Sequence, residues 1–169
     1  MGIRLETHWD HAEVRRLVTA AFGRRAEAEL VDKLRETDGF VPQLSLVADH
    51  SGVVVGHIMF TRITLQSDPP IKVLALAPVS VYPAFQNKGI GSALIKRGLA
   101  IADQRDEPLV VVLGHPGYYP RFGFVPASTL GIASPWPDMP DDAFMVKTLS
   151  SYSVDIKGMV RYPPEFDET

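Results

Sequence analysis

The sequence VSVYPAFQNKGIGSALI, residues 79–95, joins a β-rich run to a helical pattern through two glycines, Gly89 and Gly91. Glycine is a poor helix former, so its place at a helix start needs a physical reason. The first four N–H groups of a helix lack partners within it and lie at the positive end of its dipole. Because glycine has no Cβ, a ligand can approach these N–H groups closely. The stretch therefore predicts a site for an anion, above all a phosphate.

Neighbouring side chains supply further donors to such an anion. Gln86 offers an amide, Lys88 a positive charge and Ser92 a hydroxyl within the first turn. The Walker pattern GxxxxGK[ST] is absent, and the dinucleotide fingerprint fails because Leu94 stands where its third glycine belongs. The pattern that remains, QxxGxG, is compatible with several phosphate ligands. It is also compatible with a tight turn in which the glycines are purely structural.

The segments on either side of this stretch predict an α/β (α+β) fold. A short strand, GIRLE, is followed by two amphipathic helices, the first of which ends at Gly23. Two β-rich runs flank the turn pair Ser51-Gly52, as in a hairpin, and IKVLALAPVSV predicts a central strand. After the glycine-initiated helix come a buried strand, LVVVL, a compact turn with one short helical turn, GHPGYYPRFGF, and further β segments. This order is typical of a mixed, mostly antiparallel sheet flanked by helices.

The composition excludes several classes of function. The chain has 169 residues, a formal net charge of −3 and no block of Lys or Arg that would favour nucleic-acid binding. Without cysteine it has no disulfide, no thiolate nucleophile and no Cys-ligated metal. His8 and His11 lack a third ligand, so no metal site is predicted. Without a secretion signal or a membrane-length apolar run, we expect one cytoplasmic domain over residues 1–169, away from membranes.

Two motifs in sequence order resemble the acetyl-CoA-binding region of the GNAT superfamily of N-acetyltransferases. In that superfamily a V-x-V-x-P strand leads into Q/R-x-x-G-x-G/A and a helix, and residues 79–91 match every fixed position. A Tyr ahead of a Gly-Phe pair follows the next strand, here in YPRFGF, residues 119–124. The resemblance extends from about Leu44 to Phe124. Within the superfamily, the combined motifs are most similar to those of the small bacterial N-acetyltransferases. The resemblance implies a single N-acetyltransferase domain, acetyl-CoA as cofactor, and a splay between the fourth and fifth strands.

The resemblance also implies where acetyl-CoA binds. Its pantetheine arm would lie as an added strand along residues 79–81, and its pyrophosphate would bind the amides of residues 87–92, assisted by Gln86 and Lys88. The implied contacts are Val79, Ser80, Val81, Gln86, Asn87, Lys88, Gly89, Ile90, Gly91 and Ser92. Pro78 removes one donor from the central strand, which is compatible with the splay or with an ordinary bulge.

Tyr119 is the implied catalytic residue. It matches the position from which family members donate a proton to the departing sulfur, and a phenol is protonated at neutral pH. Tyr118 is the alternative if the turn is rotated, and a role for Tyr119 in packing alone is also open. The central strand, LALAPVSV, departs from the family because it has no carboxylate to act as a base. The candidate bases are therefore His115, His57 and water, of which water needs no dedicated residue.

The acceptor amine is not fixed by the sequence. The resemblance implies that its site lies on the first two helices and the C-terminal strands, roughly residues 20–40 and 134–162. The acidic residues there that would attract a cationic amine are Glu27, Glu29, Asp32, Asp141 and Asp142. A small-molecule amine and a peptide amine fit equally, and a homodimer is compatible with the sequence. The competing hypotheses are a non-catalytic CoA-binding sensor or interaction module, and a nucleotide-phosphate binder using the same helix start.

Overall fold

The computed structural model describes residues 1–168, in which nine strands and three α-helices alternate in the predicted order. The strands are β1 (Gly2–Leu5), β2 (Phe40–His50), β3 (Val53–Gln66), β4 (Ile71–Val81), β5 (Leu109–Leu113), β6 (Val125–Pro126), β7 (Ile132–Ala133), β8 (Phe144–Thr148) and β9 (Gly158–Arg161). The helices are α1 (His11–Phe22), α2 (Ala26–Leu34) and α3 (Ile90–Asp103). A single 3-10 turn, Tyr119–Phe122, stands where the compact turn was expected.

The strands form one mixed sheet. Its main path is β1-β2-β3-β4-β5-β8-β6, while β9 pairs with the end of β3 and β7 pairs with β9. Neighbouring strands are antiparallel except at β4–β5 and β7–β9, which are parallel. The mixed, mostly antiparallel sheet expected from the sequence is confirmed, and Ser51-Gly52 joins β2 to β3 as the predicted hairpin turn.

Helices cover both faces of the sheet. Leu94 of α3 belongs to a buried cluster with Phe60 of β3, whereas Leu17 of α1 belongs to a second cluster with Met59. Met59 and Phe60 are consecutive in β3, so their side chains point to opposite faces. The helix that begins at the glycines therefore lies across the sheet from the first two helices.

Strand β4 changes its pairing at Pro78, and this change creates the functional region. On the β3 side, Ile58 pairs with Val79 and Phe60 with Leu76, so β4 has one extra residue and forms a bulge. On the other side, β4 pairs with β5 only at Leu74 and Ala75. Beyond Ala75 the two strands separate, which is the predicted splay. Pro78 therefore lies both in a bulge, on the β3 side, and at the splay, on the β5 side.

Candidate functional site

The start of α3 presents a row of free backbone donors. No backbone N–H from Asn87 to Ser92 makes a hydrogen bond within residues 1–168, and the first helical bond runs from Ala93 N to Gly89 O at 3.0 Å. Gly89 forms the N-cap with φ 84° and ψ 5°, a left-handed conformation that glycine adopts without strain. Asn87, another residue type tolerated in this region, has φ 63°. The local chain geometry thus leaves several N–H groups available to one anion.

A cleft of about 500 Å³ opens over these donors. Of the predicted cofactor contacts, the structure places Val81, Gln86, Asn87, Gly89, Ile90, Gly91 and Ser92 in its lining. The other lining residues are Phe85, Tyr118 and Arg121, which the sequence reasoning had not assigned to the cofactor. The Tyr118 hydroxyl lies 3.1 Å from the Ser92 Oγ and so ties the turn after β5 to the first turn of α3.

Two residues predicted to assist phosphate binding, Gln86 and Lys88, make contacts within the chain. The Gln86 side-chain amide donates to the Val81 carbonyl at 3.0 Å, which fixes the loop to the end of β4. The Lys88 ammonium lies 5.7 Å from the Phe85 ring centroid and does not line the cleft. Arg121 lines the cleft instead, with its guanidinium 4.8 Å from the Tyr118 ring centroid. Arg121 lies on the YPRFGF turn and approaches the helix start only in three dimensions, so the sequence held no signal for it.

Residues 79–81 keep one free edge. They pair with residues 56–58 of β3, and no strand in the described part of the chain pairs with their other edge. Val79 and Val81 pack toward the α3 face, whereas Ser80 is buried opposite His57 of β3. The predicted backbone contacts of Val79, Ser80 and Val81 are thus available, although the Ser80 side chain faces away from the cleft.

A larger cavity of about 730 Å³ lies in the gap where β4 and β5 separate. Its walls come from β4, the end of β5, the first two helices and the C-terminal segment. The lining residues used below are Glu27, Pro78, Val79, Tyr119, Trp136, Tyr162 and Asp167. The rings of Trp136 and Tyr162 are in contact, with centroids 4.9 Å apart and planes inclined at 33°. The regions expected to bind the acceptor, around residues 20–40 and 134–162, thus meet at one cavity.

The carboxylates near this cavity are not equivalent. Glu27 is 7% exposed and forms a two-pronged ion pair with Arg24, which lines the same cavity. Asp32 is paired with Arg15 and Arg35 instead. Glu29, Asp141 and Asp142 are exposed and do not line the cavity, whereas Asp167, which sequence reasoning did not single out, does. Only the fold distinguishes Glu27 and Asp167 from the other acidic residues.

Tyr119 lines the larger cavity and is 8% exposed. A Cβ at Gly114 would lie 2.3 Å from the Tyr119 ring, so only glycine at that position leaves room for the ring. The ring is held by edge contacts with Tyr118 and Phe124, at centroid distances of 5.2 and 5.7 Å. Burial raises the pKa of Tyr119 to about 12, which keeps the phenol protonated at neutral pH.

Neither histidine proposed as a base lines either cavity. His115 is exposed, and its Nδ1 accepts a hydrogen bond from the Gly117 N–H at 3.1 Å. His57 is fully buried, with its Nε2 3.1 Å from the Ser45 Oγ and 3.6 Å from a Glu6 oxygen. Burial lowers the pKa of His57 to about 4, so the imidazole is neutral at pH 7. Its contacts place His57 in the sheet interior rather than at the reaction centre.

The neutral His57 predicts a pH dependence of stability. Its pKa is below the 6.5 of an unfolded chain, so the unfolded state binds more protons and stability falls as pH is lowered from 6.5 towards 4. We expect a loss of roughly 3 kcal/mol in the free energy of unfolding between pH 7 and pH 4 from this residue. Urea unfolding at pH 7 and at pH 4 measures this difference in the free energy of unfolding. His57→Gln should show a shallower dependence over that range, and identical slopes would contradict the assignment.

Within residues 1–168, no group of three or more His, Cys, Asp or Glu is arranged to hold a metal ion. In the same residues, every helix is too short or too polar to cross a membrane.

Comparison with known proteins identifies the family. A model of the acetyltransferase (GNAT) domain matches residues 2–127. The chain belongs to the GNAT acetyltransferase family. This GNAT protein is 38% identical to the uncharacterized N-acetyltransferase YjhQ of Escherichia coli K12, over 90% of its own length and 86% of the relative's. It is 31% identical to the uncharacterized N-acetyltransferase YhbS of the same strain, over 99% of both chains.

Solved structures of GNAT proteins have the same fold. The crystal structure of E. coli YhbS in complex with CoA superimposes with a TM-score of 0.88 at 29% identity, covering 98% of this chain and 91% of that one. A GNAT family acetyltransferase from Brucella melitensis in complex with acetyl-CoA has a TM-score of 0.78 at 33% identity, with coverage of 98% and 97%. The predicted fold and the predicted family of N-acetyltransferases are thereby confirmed.

Proposed function

We propose that this GNAT protein transfers the acetyl group of acetyl-CoA to an amine by direct attack in a ternary complex. The observation that carries the proposal is the free edge of residues 79–81 between two cavities. The cleft at the start of α3 lies on one side and the cavity containing Tyr119 lies on the other. The relatives with bound CoA and acetyl-CoA support the same cofactor for this chain.

In the proposal, acetyl-CoA is held at two places, its pyrophosphate and its pantetheine arm. The free N–H groups from Asn87 to Ser92 bind the pyrophosphate at the positive end of α3, and Arg121 adds a charge. The free edge of residues 79–81 binds the pantetheine arm by adding it as a strand. The residues in the cleft fit such a ligand because they offer donors without an opposing carboxylate.

The chemical step then needs the acceptor amine and Tyr119 in the larger cavity, and a backbone donor on the free edge of β4. The amine nitrogen attacks the thioester carbon, the carbon–sulfur bond breaks, and Tyr119 donates its hydroxyl proton to the departing thiolate. The N–H of Val81 or a neighbour stabilises the developing oxyanion. In the proposal the proton lost by the amine passes to water, and water returns a proton to the Tyr119 phenolate; neither His57 nor His115 lines this cavity.

The cavity lining favours an amine with an apolar body. Trp136 and Tyr162 offer flat surfaces against which such a body packs, and a cation binds over aromatic faces. Asp167 supplies negative charge that attracts the protonated amine before it is deprotonated, whereas the Glu27 carboxylate is already paired with Arg24. We therefore expect arylalkyl and branched alkyl amines to be better acceptors than amines that carry phosphate or carboxylate groups.

Thiol release from acetyl-CoA, followed across a panel of such amines, tests the proposal. We expect turnover above the hydrolysis background for apolar amines, with production of the acetylated amine confirmed by mass spectrometry. Tight binding of acetyl-CoA with no turnover for any amine would favour the non-catalytic CoA-binding module. Preference for ATP or NAD over acetyl-CoA in calorimetry would favour the nucleotide-phosphate binder.

A further inference from the structure

A second polar cleft, of about 450 Å³, lies well away from the proposed acetyl-CoA site. Thr64 of β3 is at its floor, six residues along the strand from Ile58, which pairs with the pantetheine segment. At about 3.3 Å per residue this separation is about 20 Å. The cleft therefore is not an extension of the pyrophosphate site.

The register of the sheet places several cationic side chains next to one another in this cleft. Thr64 pairs with Lys72 of β4 on one side and with Arg161 of β9 on the other. Paired residues on adjacent strands share one face, and Arg62, two residues before Thr64, points to that face as well. Three cationic side chains thus lie on three neighbouring strands around one threonine.

The charges of two of these side chains are not neutralised within residues 1–168. Lys72 donates to the Thr64 Oγ1 at 3.0 Å, and the Arg161 Nε donates to the Gln66 Oε1 at 2.9 Å, but neither forms an ion pair. The second contact fixes the guanidinium while leaving its terminal nitrogens free. Arg62 is paired with Glu107 at 2.8 Å, and Asp38, the acidic residue in the lining, makes no ion pair.

An anion bound between these side chains would be attracted by both charges that are not neutralised within residues 1–168. Lys72 and Arg161 are exposed, so water screens much of their mutual repulsion, and a ligand of opposite charge between them removes what remains. A guanidinium held in place presents paired N–H donors to an oxyanion, and a lysine adds a point charge. The two charges without ion-pair partners among the described residues, on Lys72 and Arg161, match a doubly charged phosphate better than a single carboxylate.

We propose that the cleft formed around Thr64, Lys72 and Arg161 binds the phosphoryl group of a small phosphate ester. Its volume is within the range of small-molecule sites and exceeds that of a phosphate ion alone. Tyr162 lines both this cleft and the cavity of Tyr119, so the ligand lies against a wall of the proposed acceptor site. The binding itself does not depend on the proposed acetyl transfer.

Amide chemical shifts of the whole chain test the proposal during titration with inorganic phosphate and, separately, glycerol 3-phosphate at constant ionic strength. We expect saturable shifts at the amides of Thr64, Lys72 and Arg161, with the ester binding at least as tightly as phosphate. Shifts at residues 87–92 report the α3 site separately. Arg161→Gln and Lys72→Gln should each weaken binding about tenfold. Arg16→Gln, which removes an exposed cation of α1, is the matched control and should have no effect.

Several outcomes would overturn the site. These are shifts that rise linearly without saturation, equal affinities in Arg161→Gln, Lys72→Gln and the wild type, or saturable shifts confined to residues 87–92. If a short polynucleotide or an acidic peptide bound more tightly than the ester, a small phosphate ester would be the wrong ligand class for this cleft. Loss of chemical-shift dispersion would reveal a misfolded variant. Because Arg161→Gln and Lys72→Gln remove different cations, the variant that folds still tests the site.

Discussion

Gly91→Asp is expected to weaken acetyl-CoA binding at least about 100-fold. Gly91 lies in the cleft at the start of α3, and a Cβ there would be 3.5 Å from the Tyr118 hydroxyl and 3.8 Å from a Val81 methyl. An aspartate would place its carboxylate among the free N–H groups, where the pyrophosphate is proposed to bind. Two like charges about 4 Å apart near a protein surface repel by about 4 kcal/mol, which is more than enough for this loss. Calorimetry measures the dissociation constant.

The fold should survive this change, which makes the result interpretable. Both Cβ contacts are ordinary van der Waals distances, and an acidic side chain in the first turn is favourable to the helix dipole. Gly91→Asn has nearly the same shape without the charge and is the matched control. We expect Asn to weaken binding much less than Asp, with similar melting temperatures for both variants. Equal dissociation constants for Gly91→Asp and the wild type would remove the pyrophosphate from this helix start.

Tyr119→Phe is expected to lower kcat about 100-fold or more while changing the dissociation constant of acetyl-CoA little. The substitution removes one oxygen and preserves the ring that packs against Tyr118 and Phe124. General acid catalysis by a positioned side chain contributes about 100-fold to 10,000-fold. Because burial raises the pKa of Tyr119 to about 12, the wild-type acid should stay protonated throughout the neutral range. Steady-state kinetics with the best amine of the panel gives kcat and KM.

Tyr118→Phe is the control for this prediction, since Tyr118 is the neighbouring phenol. Its hydroxyl contacts Ser92 in the pyrophosphate cleft, so its loss should affect acetyl-CoA binding more than kcat. If Tyr118→Phe lowered kcat and Tyr119→Phe did not, the two roles would be exchanged. Equal kcat for Tyr119→Phe and the wild type at every pH would leave Tyr119 with a packing role alone.

Features of the fold that depend on local sequence were predictable. Gly89 caps α3 because the left-handed conformation of that residue is a local requirement, and Gly23 likewise ends α1. The order of elements followed from hydrophobic periodicity and from turn residues. Pro78 indicated that β4 is interrupted, because a residue without an N–H cannot complete a ladder in a central strand.

Features that depend on tertiary placement were not predictable in the same way. Lys88 adjoins the glycines in sequence but stacks over Phe85, whereas Arg121, some 30 residues away, lines the cleft. The side-chain direction of Ser80 follows from the extra residue of the β4 bulge, which a pattern of alternation does not reveal. The sequence does not show whether His57 faces the site or the sheet interior. In the structure His57 is buried beside Ser45 and Glu6 and lines neither cavity.

The distance between the sulfur of bound acetyl-CoA and the Tyr119 hydroxyl decides whether Tyr119 can donate its proton to the departing thiolate. It can be measured in a crystal structure of this chain grown with acetyl-CoA or a non-hydrolysable analogue. We expect the sulfur within about 3.5 Å of that hydroxyl, pantetheine along residues 79–81, and pyrophosphate on the amides of residues 87–92. A sulfur far from Tyr119, or a pyrophosphate bound away from the start of α3, would contradict this expectation.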